Sequence, residues 1–385
     1  MKRQHVAIIV ETSSAYGRAV LDGIGRYVRA NDNWSVFFQQ WDLFGEVPAW
    51  LNRWSGDGII SRVASAKLVR AVKATGVPFV SLSDRQESQI ESHVRSDDLA
   101  IGREAAKHLR ERGFRHFAYC GFSGELWSDR RKTGFTESIQ ADNGTCVHFE
   151  SPWAGNETVA WEAEQEQLQH WLTTLNSPIG IMACNDVRAR QVLDACISLG
   201  ISVPEQAAVI GVDNDELLCQ FCAPPLSSVI PNAEAVGFHA AEILAAMMKR
   251  QPTTEMIVVP PIGISIRQST DIVAIDNPDI AHALQFIRNH ACRGISVQDV
   301  VVEVSISRGA LERGLRKFIQ RTPQQEIRRV QISRVCELLA RTDLPAEKIA
   351  VMAGFENPEY MYVVFKRLKN MTPGSYREQA KPGLN

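Results

Sequence analysis

Residues 208–212, Ala-Val-Ile-Gly-Val, form a short run in which no side chain is polar. A continuous apolar run of this length indicates a strand of a parallel sheet that helices cover on both faces. Comparable runs lie upstream, at Val6–Val10, Gly58–Ile60, Phe79–Leu82, Phe117–Cys120 and Gly180–Ala183. Amphipathic helical segments alternate with them, at Ala19–Ala30, Leu99–Arg112, Val187–Leu199 and Val236–Lys249. The alternation predicts a doubly wound α/β domain over residues 1–270, with two lobes around a ligand cleft.

The pattern changes after Asp271. The polar segment Asp271–Pro278 ends in Asn277-Pro278 and predicts a linker, which we place at residues 271–282. Beyond it, residues 283–385 show only helical periodicity. Residues 295–318 and 344–368 share one scheme, a short helix, a tight turn and a longer helix. This internal repeat predicts an all-α domain with two helix-turn-helix units.

Local signals support both units. Ser296, with Asp299 three residues later, resembles a capping box that begins a helix. Gly354 suits a left-handed turn, and Asn357-Pro358 provides a cap and a first-turn residue for the next helix. The periodicity turns Leu311, Leu315 and Phe318 inward in the first unit, and Met361, Phe365 and Leu368 inward in the second.

Charge divides unevenly between the two regions. Residues 277–385 carry 17 Lys and Arg against 11 Asp and Glu, a balance of +6, whereas the rest of the chain has −8. Basic domains bind nucleic acid by neutralising phosphates and releasing counterions. The alternative is a helical interaction domain with a solvated charged face, but two copies of the unit in a basic domain favour DNA. The outward side chains that we expect to meet DNA are Arg308, Glu312, Arg313, Arg316, Asn357, Glu359, Tyr362, Lys366 and Arg367.

The C-terminal motifs resemble a known family. Ser307–Arg313, Gly354–Tyr360, Phe365–Arg367 and Met371–Arg377 are similar to the AraC/XylS-type DNA-binding domain. The resemblance implies two recognition helices that enter successive major-groove segments on one face of the DNA. The chain departs from the family pattern at Leu315, where Phe is frequent, and at Gln320 and Asn370, where Gly is usual.

The N-terminal motifs resemble the sugar-binding core of LacI/GalR-type repressors, which is itself similar to periplasmic sugar-binding proteins. The matching segments are Gly56–Ile60, Asp97–Leu109, Arg131–Phe135, Cys184–Asp186, Val203–Glu205, Val209–Asn214, Pro225–Val229 and Arg267–Thr270. The α/β pattern begins at residue 5, so the DNA reader follows the sensor here instead of preceding it. A LacI-type sensor fused to an AraC-type reader resembles the regulators of D-xylose operons, which implies D-xylose as the effector.

Polar side chains near the ends of predicted strands are the candidate sugar contacts. Sugars are held by charged and amide groups that pair with vicinal hydroxyls, beside an aromatic ring on a C–H face. Three kinds of residue are candidates for these contacts. Four match positions that contact ligand in the resembled sensors, two come just after the first predicted strand, and one is a tryptophan that could stack on the sugar. They are Ser13, Tyr16, Trp127, Arg131, Asn185, Asp186 and Asp213.

Each of these roles has an ordinary structural alternative. Asp213 suits the cap of the next helix, Arg131 a surface salt bridge, and Trp127 packing in the core. We place Arg188 and Arg190 on a solvated helix face rather than in the cleft.

Together these features predict a sugar-responsive, DNA-binding transcription factor that activates pentose-utilisation genes. The alternative is a regulator of the same architecture that senses a different small molecule, or one that represses. The expected partners are a sugar effector, a double-stranded DNA operator, RNA polymerase and a second copy of the chain in a homodimer.

Other classes of protein are disfavoured by the motifs that the sequence lacks. A P-loop, a Gly-x-Gly-x-x-Gly motif and a nucleophile elbow are missing, so we expect no enzyme activity, catalytic residue or cofactor. Cys219 and Cys222 form a lone Cys-x-x-Cys, which predicts no metal site. No apolar run approaches the roughly 20 residues that span a bilayer, and the first run is too short for a signal peptide. We therefore expect a cytoplasmic protein without a membrane partner.

Overall fold

The structure, a computed structural model, describes residues 3–31, 34–39, 46–62, 65–83, 92–153, 161–253, 256–271, 275 and 277–380. The chain divides into two compact units, Met1–Asp271 and Ile272–Asn385. We refer to them as the N-terminal unit and the C-terminal unit.

Within the described residues, the N-terminal unit contains two six-stranded sheets. The strands are β1 (Gln4–Ile9), β2 (Trp34–Phe38), β3 (Gly58–Ser61), β4 (Phe79–Ser81), β5 (His93–Ser96), β6 (His116–Ser123), β7 (Thr145–Pro152), β8 (Ile179–Ala183), β9 (Ala207–Val212), β10 (Ser227–Ile230), β11 (Met256–Val259) and β12 (Gly263–Ser265). The first sheet has the order β11-β5-β4-β3-β1-β2 and is parallel throughout. The second has the order β12-β10-β9-β8-β6-β7, in which β12 pairs antiparallel with β10.

Helices cover both faces of the sheets, as the continuous apolar runs predicted. The helices of this unit are α1 (Ala15–Asn31), α2 (Ala66–Ala74), α3 (Asp98–Glu111), α4 (Leu126–Gln140), α5 (Trp161–Thr173), α6 (Asp186–Ser198), α7 (Glu216–Phe221) and α8 (Ala233–Met248). On one face of the first sheet, Val20 of α1 and Leu244 of α8 share a core with Val6. On the other face, Leu68 of α2 packs in a core with Ile59. In the second sheet, every residue of β9 is buried.

The C-terminal unit is helical over its described residues. Its helices are α9 (Pro278–His290), α10 (Val297–Val304), α11 (Arg308–Ile319), α12 (Pro323–Arg341), α13 (Ala346–Met352), α14 (Pro358–Lys369) and α15 (Pro373–Ala380). The pairs α10–α11 and α13–α14 are the two helix-turn-helix units, each with an apolar core of its own.

The capping and turn residues act as the sequence indicated. Ser296 and Asp299 form a complete capping box at the start of α10. Gly354 has a φ of 76°, in the left-handed region that glycine tolerates best. Gln320 and Asn370 end α11 and α14 with φ values of 56° and 55°. These left-handed caps explain why glycine is usual there in the resembled family.

Two details differ from the sequence-based expectations. Helix α9 begins at Pro278, inside the range 271–282 that we assigned to the linker. Residues 272–274 and 276 of that range lie outside the described residues. Leu368 is 46% exposed rather than turned inward, whereas Val364 is 2% exposed and lies in the core beside Met361 and Phe365. The whole last turn of α14 is exposed, which leaves Leu368 without core to cover it.

Candidate ligand cavity and DNA-reading surface

A cavity of about 480 Å³ opens in the N-terminal unit, where the carboxyl ends of the parallel strands meet. Ligands of open α/β sheets bind at this edge, and the volume lies within the usual range of small-molecule sites. Its wall takes a residue from the end of most strands: Glu11 after β1, Arg62 after β3, Ser83 after β4, Asp98 after β5, Trp127 after β6, Trp153 after β7, Asn185 after β8 and Asp213 after β9.

All seven candidates from the sequence line this one cavity. They are Ser13, Tyr16, Trp127, Arg131, Asn185, Asp186 and Asp213. The structure therefore brings together residues that are up to 200 positions apart in the chain. Arg188 is different, because it is fully buried instead of solvated on the helix face that we predicted.

Arg131 on α4 is the central cation of the wall and is 4% exposed. Its Nε donates to Asp98 Oδ1 at 2.8 Å, and its Nη1 donates to the Cys184 carbonyl oxygen at 2.6 Å. Nη1 also lies 3.7 Å from Asp213 Oδ1. Burial acts to lower the pKa of Arg131, but the two carboxylates outweigh it and raise the pKa above its ordinary value. Arg131 is thus a permanently charged, buried donor, not part of a surface salt bridge.

Asp213 follows β9 with a φ of 102°, a conformation that few non-glycine residues adopt. Burial raises the pKa of its carboxyl to about 6, against the opposing effects of Arg131 and Arg62. The alternative role, a cap for the next helix, belongs to Asp215, whose side chain accepts from Leu218 N. Asp213 is left facing the cavity.

Asp186 and Asn185 are partly committed to the protein itself. Asp186 accepts hydrogen bonds from Ser228 Oγ at 2.6 Å and from the Asp215 backbone N–H at 2.8 Å. Burial and the charge of Asp213 raise the pKa of Asp186 to about 8. Asn185 Oδ1 caps α6 by accepting from Arg188 N at 2.9 Å. Its amide nitrogen makes no hydrogen bond within the described residues, so it is free to donate.

An aromatic wall borders the polar groups. Trp127 and Trp153 meet edge to face, with ring centroids 5.5 Å apart at 77°. The guanidinium of Arg131 lies 5.0 Å from the centre of the Trp127 ring. Trp153 escaped the sequence analysis because it follows β7, an edge strand whose mixed exposure gives no continuous apolar run.

Arg62 and Glu11 form a second polar group that the sequence analysis missed. Arg62 donates to Glu11, and its guanidinium lies 4.8 Å from the centre of the Tyr16 ring. The Tyr16 hydroxyl is 3.0 Å from Ser96 Oγ, and burial raises its pKa. Both missed residues lie within two positions of the end of a predicted strand, Val6–Val10 for Glu11 and Gly58–Ile60 for Arg62, and this position was the available signal.

In the C-terminal unit, the candidate DNA-reading residues lie on the outer faces of α11 and α14. Glu312 is half-buried, and the others are exposed: Arg308, Arg313, Arg316, Asn357, Glu359, Tyr362, Lys366 and Arg367. Arg308 Nε is 3.1 Å from Glu312 Oε1. Asn357 Oδ1 accepts from Glu359 N at 2.7 Å, so this side chain caps α14. The outer face of α11 keeps Arg313 and Arg316 available.

Two classes of feature have no example in the described part of the chain. No helix there is long and apolar enough to cross a membrane. The same residues contain no cluster of three His, Cys, Asp or Glu side chains that could hold a metal ion.

Known proteins match both units. Family models match residues 5–93 as an XylR N-terminal domain, 106–270 as a periplasmic binding protein-like domain, and 300–379 as a helix-turn-helix domain. The xylose operon regulatory protein of Escherichia coli K12 is 32% identical over 98% of this chain and 97% of its own length. The chain belongs to the xylose operon regulatory protein family. The protein of that name from Haemophilus influenzae is 31% identical over 97% of both chains.

A solved structure extends this result to the fold. The xylose-binding transcription activator XylR superposes with a TM-score of 0.84 at 31% identity, over 98% of this chain and 99% of that one. The predicted architecture, a two-lobed α/β sensor followed by two helix-turn-helix units, is confirmed. Xylose operon regulatory proteins control transcription and are not enzymes, which confirms the prediction of a sugar-sensing regulator without catalytic activity.

Proposed function

We propose that the chain is a D-xylose-responsive transcription activator whose effector binds in the cavity of the N-terminal unit. The observation that carries the proposal is the wall itself, where buried charged groups stand beside two tryptophans. A neutral polyol fits such a wall, because it both donates and accepts hydrogen bonds and has apolar C–H faces.

Each wall residue has a role in this proposal. Arg131 donates to adjacent hydroxyls, Asp213 accepts from them, and the amide nitrogen of Asn185 donates. Trp127 and Trp153 pack against the C–H face of the ring. The remaining candidates, Ser13, Tyr16 and Asp186, shape the rim and hold the groups that touch sugar.

Calorimetric titration with D-xylose and its epimers tests the effector. Leaving a buried polar group unpaired costs about 1–3 kcal/mol, so Asp213→Ala should weaken D-xylose binding about tenfold or more. Asp22→Ala is the matched control, since Asp22 is an exposed aspartate on α1 outside the cavity. Unchanged affinity in Asp213→Ala removes this residue from the site. A wild-type protein that binds no pentose removes the sugar assignment, in favour of a different small-molecule effector.

The DNA side of the proposal concerns assembly and output. We propose a cytoplasmic homodimer that presents four helix-turn-helix units to an operator with two similar elements, and that recruits RNA polymerase. Symmetric dimers impose repeated half-sites. Footprinting on DNA upstream of its own gene, with light scattering at the same protein concentration, tests the dimer. A monomer that protects one short element contradicts it, and in-vitro transcription with D-xylose separates activation from repression.

A further inference from the structure

Arg188 on α6 is a fully buried charged side chain that the proposed sugar contacts do not use. Its Nη1 donates to Glu164 Oε1 of α5 at 2.9 Å, and its Nη2 contacts Ser151 Oγ of β7. Its Nε has no hydrogen-bond partner among the described residues. One guanidinium therefore ties together three elements behind the cavity wall.

A continuous stack leads from this guanidinium to the cavity. Arg188 lies 4.1 Å from the centre of the Phe122 ring, close enough for a cation–π contact. The Phe122 ring in turn stacks on Trp153, with centroids 5.3 Å apart and an angle of 9° between the ring planes. Trp127 meets both rings edge-on, at 70° to Phe122 and 77° to Trp153. Trp127 and Trp153 are the aromatic wall.

Stability alone is a poor reason to bury this pair. Moving two charges out of water costs free energy that their attraction often does not recover, and apolar residues of equal volume are frequently as stable. An unpaired Nε adds to the cost. We therefore look for the role of the Arg188–Glu164 ion pair in the side chains that it holds in place. Its own backbone N–H is held by Asn185, which is a cavity residue as well.

We propose that the Arg188–Glu164 pair is a positioning element that fixes the orientation of Trp153 and Trp127, and thereby the affinity and epimer selectivity of the sugar site. The inference rests on the proposed function. The ion pair holds the guanidinium plane, that plane holds Phe122, and Phe122 sets the tilt of the tryptophan on which a pentose ring packs.

The variant that tests it is Arg188→Met with Glu164→Gln, which removes both charges without leaving one buried alone. We expect a thermal midpoint equal to or above that of the wild type, with D-xylose affinity about tenfold weaker and a smaller preference over epimers. Fluorine NMR of 5-fluorotryptophan protein should show the Trp153 and Trp127 resonances shifted before any sugar is added. Arg190→Met is the matched control, since Arg190 is an exposed arginine two residues along the same helix.

Unchanged affinity and unchanged tryptophan resonances in the double variant overturn the proposal. If that variant does not fold, Arg188→Lys decides, because lysine keeps the charge but lacks the planar face that stacks on Phe122. If Arg188→Lys keeps the wild-type resonances of Trp153 and Trp127, the stack on Phe122 does not position the tryptophans. If those resonances shift and D-xylose binds more weakly, the proposal is supported. A wild-type protein that binds no pentose defeats the proposed function instead, while the sugar-free resonances still test the positioning.

Discussion

The key arginines of the two units differ in burial and in pairing. In the cavity, Arg131 is 4% exposed and fixed by Asp98, Asp213 and a backbone carbonyl. On α11, Arg313 is exposed and makes no hydrogen bond or ion pair within the described residues. A small ligand of modest surface needs groups that are already oriented, since ordering them on binding would consume its affinity. DNA has a high density of phosphate charge, which attracts basic side chains, so an arginine that binds DNA can remain exposed and unpaired before binding.

The two helix-turn-helix units also differ from each other. Arg313 on α11 and Val363 on α14 occupy equivalent positions, because each is the sixth residue after the N-cap of its helix, Ser307 or Asn357, and both are exposed. Val363 is 65% exposed, although a valine gains nothing from water. The same backbone thus presents a guanidinium in one unit and two methyl groups in the other.

The largest expected effect is in the cavity. Arg131→Ala leaves Asp98 and Asp213 without their shared cation, and breaking a buried pair from one side costs about 3–5 kcal/mol. We expect urea unfolding of the N-terminal unit at clearly lower denaturant concentration, with D-xylose binding lost. Arg103→Ala, on the exposed face of α3, is the control and should change neither. Equal stability of Arg131→Ala and wild type would contradict a preorganised wall.

The next effect is on base reading by α11. A bidentate contact from Arg313 to a guanine should contribute about 1–3 kcal/mol at one position. Arg313→Ala should therefore relax preference at one or two base pairs in sites selected from a random pool. Arg367→Ala, which removes a charge near the end of α14, should weaken all sequences alike and lower the salt slope by about one. If Arg313→Ala keeps the wild-type motif at every position, its role is not base reading.

The affinity for D-xylose should depend on pH through Asp213, with an effect similar in size to that expected for base reading by Arg313. Its pKa is raised to about 6 by burial, with Arg131 and Arg62 opposing and Asp98 and Asp215 reinforcing the shift. Asp213 accepts sugar hydroxyls best when ionised, so D-xylose affinity should fall as the pH drops from 7 to 5, by about tenfold if the carboxylate is required. Asp213→Asn should bind more weakly with a flat profile over this range. Parallel profiles for both proteins would show that another group titrates.

The smallest expected effect concerns base reading by α14, which has Val363 where α11 has Arg313. We expect Val363, exposed on α14, to contact thymine methyl groups, and burying one methyl contributes about 0.8 kcal/mol, or about fourfold in affinity. Replacing operator thymines with deoxyuridine should weaken the wild type by that factor and leave Val363→Ala almost unaffected. Val302→Ala is the control, because Val302 is an equally exposed valine on α10. Equal sensitivity of the wild type and Val363→Ala to deoxyuridine would remove Val363 from the base-reading face.

The position of the cavity could be predicted from the sequence, because it follows from the topology of the parallel sheets. Carboxyl ends of parallel strands converge, so Asn185 after β8 and Asp213 after β9 had to lie near each other once the strands were assigned. What it could not reveal were contacts made across the fold. Helical periodicity placed Arg188 on a solvated face, but its partners Glu164 and Ser151 lie on other elements, α5 and β7, 24 and 37 positions away in the chain.

The C-terminal unit shows the same division. Caps such as Ser296 and Asn357 were predictable because their partners are within three residues. The exposure of Leu368 was not, because helical periodicity says which side a residue is on but not where the core ends.

The central claim is that sugar in the N-terminal cavity controls DNA reading by the C-terminal unit. Fluorescence anisotropy of a labelled DNA fragment from upstream of its own gene, titrated with D-xylose at fixed protein concentration, tests it most directly. The account predicts a saturable, D-xylose-dependent change in operator binding by the wild type, with the midpoint displaced about tenfold or more in Asp213→Ala. Operator binding that is the same at every D-xylose concentration, or a midpoint that Asp213→Ala leaves in place, would contradict it.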